Sequence, residues 1–230
     1  MLKPLVEVRQ ASRVYQQGNE PLTALKAASC EVYPRARIAL VGPSGSGKST
    51  LLHLMGGLEI PSAGTVTWPA LGSRESLRPG QVAYVFQTPS LIPSLSVVEN
   101  VELPLLLAGN PRHLQNGART AALAALERID LLELTAKLPE ELSGGQAQRV
   151  GIARALAYQP KLILADEPTG QLDHPTAAHL FDVWLEALSD TDAALVVATH
   201  DMTVAERLDD VWQIRFGRLE AAFEHEEAFA

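Results

Sequence analysis

Cysteine is nearly absent from this 230-residue chain: Cys30 is the only one, so no intrachain disulfide is available. Cys30 lies in an alternating, strand-like run and reads as a packed thiol. Long apolar runs are missing as well. Stretches such as residues 103–108 are far too short to span a bilayer, and Pro104 falls inside that one. The N-terminus lacks a basic-then-apolar signal pattern, and together with the cysteine count this favours the cytosol. There is no basic excess. Nineteen Lys and Arg against 27 Asp and Glu give a formal charge of −8, which argues against a general nucleic-acid binder. The acidic end, residues 223–230, reads as a solvated tail, and one histidine among its carboxylates, His225, does not make a metal site. The chain is 47% hydrophobic and 20% charged. It therefore reads as one globular domain, or one domain with an inserted lobe, whose core needs neither disulfide nor metal.

Against this background one stretch stands out. Residues Gly42, Pro43, Ser44, Gly45, Ser46, Gly47, Lys48, Ser49 and Thr50 follow the apolar run 38–41 and precede the apolar residues 51–55. A strand, a glycine loop and a helix start in that order are the context of a phosphate-binding loop. Glycines let the backbone turn its N–H groups toward a phosphate, and the helix behind adds the positive end of its dipole. Lys48 is then expected to reach the β- and γ-phosphates, and the Ser49 hydroxyl to ligate Mg²⁺.

Three more apolar strands alternate with helices. They run over 82–86, 162–165 and 195–199, each ending in a polar residue able to do chemistry. Gln87 follows the first and reads either as a contact to Mg²⁺ or water, or as an ordinary strand-end residue. Asp166 and Glu167 end the second. The first acid can hold Mg²⁺ and the second can orient or deprotonate a water. His200 ends the third, as a donor to a γ-phosphate or as a structural histidine. Tyr15, upstream, reads either as a core or edge aromatic or as a ring stacking on a base. Residues 5–8 and 13–15 are predicted as short strands, 16–21 as a polar turn, and 22–32 as a further strand. Thr65–Trp68 is predicted as a strand, and 69–80 as a polar segment without periodicity. From 90 to 159 the pattern is helical. It includes a Ser96/Glu99 capping box, a loop at 110–117 and an amphipathic helix over 118–132. Ser143 is a good N-cap, and Gly144 and Gly145 leave bare N–H groups at the next helix start, a second terminus able to bind an anion. A helix over 175–188, another over 201–208 and a hairpin around Gly217 complete the chain.

Taken together, these residues resemble the ATP-binding cassette family, the ATPase subunits of ABC transporters, over essentially the full length. Residues 42–49 match the Walker A motif and 162–167 the Walker B motif. Leu142-Ser143-Gly144-Gly145-Gln146 matches the signature motif, Gln87 the Q-loop, Asp173 the D-loop, His200 the H-loop and Tyr15 the adenine-stacking A-loop. The resemblance implies an α/β P-loop NTPase (RecA-like) core with a mainly parallel sheet, an N-terminal antiparallel β subdomain and an inserted α-helical subdomain. The core would occupy about 1–87 and 157–222, and the helical subdomain about 88–156. It also implies ATP and Mg²⁺ as ligands and a head-to-tail homodimer closing around two ATP. Ser143, Gly144, Gly145, Gln146 and Asp173 would then act in trans. Tyr15, residues 42–50 and Lys48 would bind ATP, and Ser49, Gln87 and Asp166 the metal. Glu167, His200, Lys48 and Gln87 would form the catalytic set.

Within the family, residues 85–106 and 165–173 resemble the MacB/LolD/FtsE group. That likeness implies a separate transmembrane permease, in some members an extracytoplasmic adaptor, and a place on the cytoplasmic face of a bacterial inner membrane. Export, extraction or mechanotransmission is the implied work, and a soluble non-transport ABC ATPase is the alternative. Gln171 stands where the group usually has Asn, Gly151 where Ala is common, and 69–80 looks short.

Overall fold

The structure, a computed structural model, describes residues 2–18, 20–77, 80–108 and 117–220. The loop expected at 110–117 lies outside them except for Gly117, as do the acidic tail and the far end of the C-terminal hairpin.

Two sheets stack around the phosphate loop. The first is antiparallel, with β1 (Val6–Gln17) between β2 (Glu20–Val32) and β4 (Ala63–Thr67). The two short strands expected before residue 16 are one 12-residue strand. Its pairing with β2 shifts register between Val8 and Val14, and Gln10 and Ala27 have positive φ of 47° and 46°. These bulges bend the strand without ending it, which is why the sequence reads as two pieces.

The second sheet runs β5-β6-β7-β3-β8-β9. It comprises β3 (Arg37–Val41), β5 (Val82–Val85), β6 (Leu162–Asp166), β7 (Ala194–Thr199), β8 (Asp210–Arg215) and β9 (Arg218–Glu220). All neighbours are parallel except β8 and β9. Register decides where the strand ends fall: Val41 pairs with Thr199, Asp166 with Ala198 and Val85 with Ala165. Parallel strands in that register deliver Gly42, Phe86, Glu167 and His200 to one edge, where α/β sheets bind ligands.

The helices are α1 (Lys48–Met55), α2 (Val97–Leu107), α3 (Gly117–Glu127), α4 (Gly144–Leu156), α5 (His174–Leu188) and α6 (Met202–Ala205). Between β5 and β6 the chain forms α2, α3 and α4, and their apolar faces join α5 in one core, with Phe181 and Trp184 fully buried. The second core lies between the antiparallel sheet and α1. There Trp68 Nε1 donates to the Met55 carbonyl at 2.6 Å. Cys30 packs against this core, and burial pushes its thiol up to about 12, so it stays protonated.

Several local expectations change. Phe86 lies beyond β5 and is 43% exposed, stacked on Tyr84 at 5.6 Å between ring centroids. The polar segment after Trp68 carries a short 3₁₀ turn at Arg74–Ser76 and buries Leu71 and Leu77. The amphipathic helix expected to reach 132 stops at Glu127, where Asp130 has a φ of 55°. Helix α6 spans four residues and not eight, because Arg207 and Leu208 bond back three residues and tighten the last turn.

Candidate functional site

The loop between β3 and α1 is shaped by close approach. A Cβ on Gly42 would lie 2.2 Å from the Ile214 carbonyl oxygen, and one on Gly47, at φ 110°, 2.5 Å from that of Ala24. No other residue fits either position without displacing backbone. Helix α1 starts with neither a side-chain cap nor an acidic residue in its first turn. Its leading N–H groups and dipole are therefore turned to the loop. The Ser46 hydroxyl is buried with no hydrogen-bond partner. An unpaired buried hydroxyl inside a glycine loop suits a phosphate oxygen.

A cleft of about 680 Å³ opens here. It is lined by Tyr15, Leu22, Ala24, residues 44–50, Gln87, Asp166, Glu167 and His200. Lys48, almost fully buried, donates to the Gly42 carbonyl at 2.8 Å and the Pro43 carbonyl at 3.3 Å, and lies 3.4 Å from Glu167 Oε1. The other Glu167 oxygen is 2.8 Å from His200 Nδ1. One carboxylate thus joins the loop lysine to the histidine at the end of β7.

Glu167 itself is held in the left-handed region, φ 47°. That costs about 1–3 kcal/mol for a residue with a side chain. Its N–H donates to the Ala198 carbonyl at 2.9 Å and its carbonyl accepts from Gly170 at 3.1 Å. The neighbouring strand and the turn after Pro168 therefore fix the backbone that aims the carboxylate into the cleft.

Gln87 is exposed at the cleft's rim, and the segment around it is gripped by one face of α4. Gln148 Nε2 donates to the Phe86 carbonyl at 3.0 Å, and Arg154 to the Pro89 carbonyl at 2.6 Å and that of Ser90 at 3.2 Å. Between them Gly151 lies so close that an added Cβ would sit 3.3 Å from Pro89 Cβ. A side chain at this position would require Pro89 to give by a few tenths of an ångström. Burial lowers the pKa of the Arg154 guanidinium, which backbone carbonyls partner.

The remaining sequence-predicted residues lie outside the cleft. Ser143 caps α4, accepting from the Gln146 N–H at 3.2 Å while Gln146 Oε1 accepts from the Ser143 N–H at 2.9 Å. These two donors of the helix start are therefore internally paired, and only the N–H groups of Gly144 and Gly145 stand outside the pair. Asp173 caps α5. The Thr176 N–H and hydroxyl, each 2.9 Å from it, hold its carboxyl below the usual range. The two helix starts lie close together, since a Cβ on Gly145 would fall 2.6 Å from Thr176 Cγ2. Residues 143, 145 and 146 line a separate small depression with Arg149, Thr176 and His179.

Sequence reasoning missed Leu22 and Ala24, which carry no chemical signal, and the α4 grip on the Gln87 segment. It also missed Glu59, bonded to the Tyr15 hydroxyl at 2.6 Å.

A phosphate loop on a parallel sheet, with lysine, glutamate and histidine joined at the strand ends and a capped glycine turn elsewhere, defines a nucleotide-hydrolysing cassette. The ABC transporter family matches residues 25–170, and the chain belongs to that family: it is an ABC ATPase, the ATP-binding subunit of a transporter. It is 44% identical over 214 residues to the lipoprotein-releasing system ATP-binding protein LolD of Legionella pneumophila (strain Paris), covering 90% of this chain and 93% of that protein. The LolD of Pseudomonas syringae pv. tomato is 42% identical over 225 residues, 94% of this chain and 97% of that one. Among solved structures, the dimeric ABC transporter cassette MJ0796 superposes with a TM-score of 0.84 at 34% identity, covering 97% of this chain and 100% of that one. A second MJ0796 structure, a dimeric post-hydrolysis state bound to ADP and Pi, also gives 0.84, at 35% identity and the same coverage.

Proposed function

We propose that this chain hydrolyses ATP as a head-to-tail homodimer and drives a separate membrane permease that releases lipoproteins at a bacterial inner membrane. The observation that carries the chemistry is the line Lys48–Glu167–His200 within one cleft. The substrate class rests on the LolD relatives, which match about nine-tenths of the chain.

In this reading ATP enters with its phosphates on residues 42–50 and its base against Tyr15. Lys48 exchanges its carbonyl partners for β- and γ-phosphate oxygens, and Ser46 gains an acceptor. Glu167 takes or orients the proton of the attacking water, and His200 holds the γ-phosphate side of the site. The Ser49 hydroxyl, the Asp166 carboxylate and the Gln87 amide oxygen form an all-oxygen donor set on one cleft, which suits Mg²⁺. Bound there, the ion would neutralise charge on the transferring phosphate. Ser143, Gly144, Gly145, Gln146 and Asp173, which lie away from this chain's own cleft, complete the site of the second copy. ATP is then shared by two chains and closes them, and hydrolysis lets them part.

Among the described residues no helix is long and apolar enough to cross a membrane; the place we assign to the chain, beside a permease on the cytoplasmic face, rests on its LolD relatives. The contact we assign to the permease is the mainly apolar groove of about 350 Å³ lined by Leu58, Tyr84, Phe86, Pro104, Arg154 and Tyr158. It adjoins Gln87 through Phe86. Residues 88–156, treated as a lobe, would swing with α4, which holds the Gln87 segment. An adaptor outside the membrane would belong to the permease side.

The test is reconstitution in vesicles with a multi-span membrane protein that co-purifies with this chain. ATP and Mg²⁺ are expected to release an acylated protein from the vesicles, with no release when Mg²⁺ is chelated. ATP hydrolysis with the acylated protein retained would overturn the substrate. Hydrolysis without association with the membrane protein would favour a soluble, non-transport ATPase.

A further inference from the structure

Behind Tyr15 lies a cluster that the hydrolytic chemistry does not use. The Tyr15 hydroxyl donates to Glu59 Oε2 at 2.6 Å, and Arg13 Nε donates to the same oxygen at 2.8 Å. Arg13 also donates to the Ile60 carbonyl at 3.0 Å, and its guanidinium carbon lies 4.8 Å from the Tyr15 ring centroid. The second Glu59 oxygen is 3.5 Å from His53 Nδ1. Since His53 belongs to α1, whose first turn carries Lys48 and Ser49, a single carboxylate links the strand bearing Tyr15 to the phosphate-binding helix.

Arg13 is absent from the cleft lining, whereas Tyr15 is part of it. The guanidinium thus lies over the ring from outside the cleft wall, while the ring itself forms part of that wall. A tyrosine on a strand near a turn would otherwise sample several rotamers. Here a charge-assisted hydrogen bond at its tip and a cation on one face restrict it. A ring fixed before the ligand arrives loses less freedom when a base stacks on it.

We infer that Glu59 is a positioning residue for nucleotide binding, presetting the Tyr15 ring to receive the purine base. The inference rests on the reading of Tyr15 as the base platform. It makes Glu59 act on the base half of the nucleotide and not on the phosphates, although Glu59 also neighbours α1.

The experiment compares ATP with inorganic tripolyphosphate, which has the phosphates and no base. Affinities are measured by calorimetry on the purified chain, wild type and four variants: Tyr15→Ala, Glu59→Ala, Glu59→Gln and the double alanine. Glu59→Ala is expected to weaken ATP about 3–10-fold and to leave tripolyphosphate affinity as in wild type. In turnover the loss should appear in KM and not in kcat. Glu59→Gln, whose amide oxygen still accepts from the Tyr15 hydroxyl, should recover most of the affinity. In the Tyr15→Ala background, Glu59→Ala should cost nothing further. Equal weakening of tripolyphosphate would overturn the inference, since Glu59 would then act through α1 or general folding. Additive losses in the double variant would overturn it too, as would unchanged ATP affinity in Glu59→Ala beside a weakened Tyr15→Ala. Full ATP affinity in Tyr15→Ala would remove the platform reading itself and the inference with it.

Discussion

Glu167→Gln should bind ATP with near wild-type affinity, lose about 10²–10⁴-fold in turnover and accumulate as an ATP-bound dimer on gel filtration. The side chain keeps its shape and its bond to His200, 2.8 Å away. What it loses is the ability to take a proton, and a charge near Lys48. Lys48 is still served by the Gly42 and Pro43 carbonyls, so the loop keeps its form. The fixed backbone makes the substitution clean: the φ of 47° and the bond from the Glu167 N–H to the Ala198 carbonyl owe nothing to the carboxylate. Wild-type turnover in this variant would mean that Glu167 is a structural partner of Lys48 and that the water is activated elsewhere.

Ser143→Arg should leave ATP binding to the isolated chain intact within about twofold and reduce turnover about 10²–10³-fold, the loss seen when an aligned donor to a transition state is removed. Ser143 is exposed and lies outside the cleft of its own chain, so the bulkier side chain disturbs nothing that holds Lys48 or Glu167. The local cost is the cap on α4, about 1 kcal/mol, which a thermal melt would register as a drop of about 2–4 °C. A large loss of turnover with so small a change in stability distinguishes an absent partner contact from unfolding. The alternative, in which Ser143 serves only as a cap, requires turnover to fall no more than the melt does.

The parts legible in the sequence are those where chemistry and hydrophobic pattern coincide. Short apolar runs ending in Gly42, Gln87, Asp166 and His200 announce parallel strands, and register does the rest, since Val41 pairs with Thr199 and Asp166 with Ala198. Ser96 and Ser143 announce their helices by local rules, and Glu99 accepts from both the Ser96 N–H and hydroxyl. Features that depend on distant packing are harder to read. Phe86 continues an apolar run but lies past the last paired residue, Val85, and turns outward. Leu71 and Leu77 sit in a segment with no periodicity, and the core they join is built from distant residues of both sheets and α1. Glu59 meets Arg13 and Tyr15 across 46 and 44 residues, a contact with no local pattern. The grip of Gln148 and Arg154 on the Gln87 segment spans more than 60 residues and is equally silent.

That the phosphate loop of one chain is completed by the signature turn of another is tested most directly by mixing two inactive chains. Lys48→Ala removes the loop lysine and Ser143→Arg blocks the partner turn, and each homodimer carries two defective sites. A mixed head-to-tail dimer puts both defects in one site and leaves the other whole. At equal amounts, random pairing gives roughly a quarter of the wild-type complement of complete sites. ATPase activity should therefore reappear on mixing and rise with the fraction of mixed dimers. A mixture as inactive as its components would contradict a shared site and return Ser143, Gly144 and Gly145 to the service of their own chain.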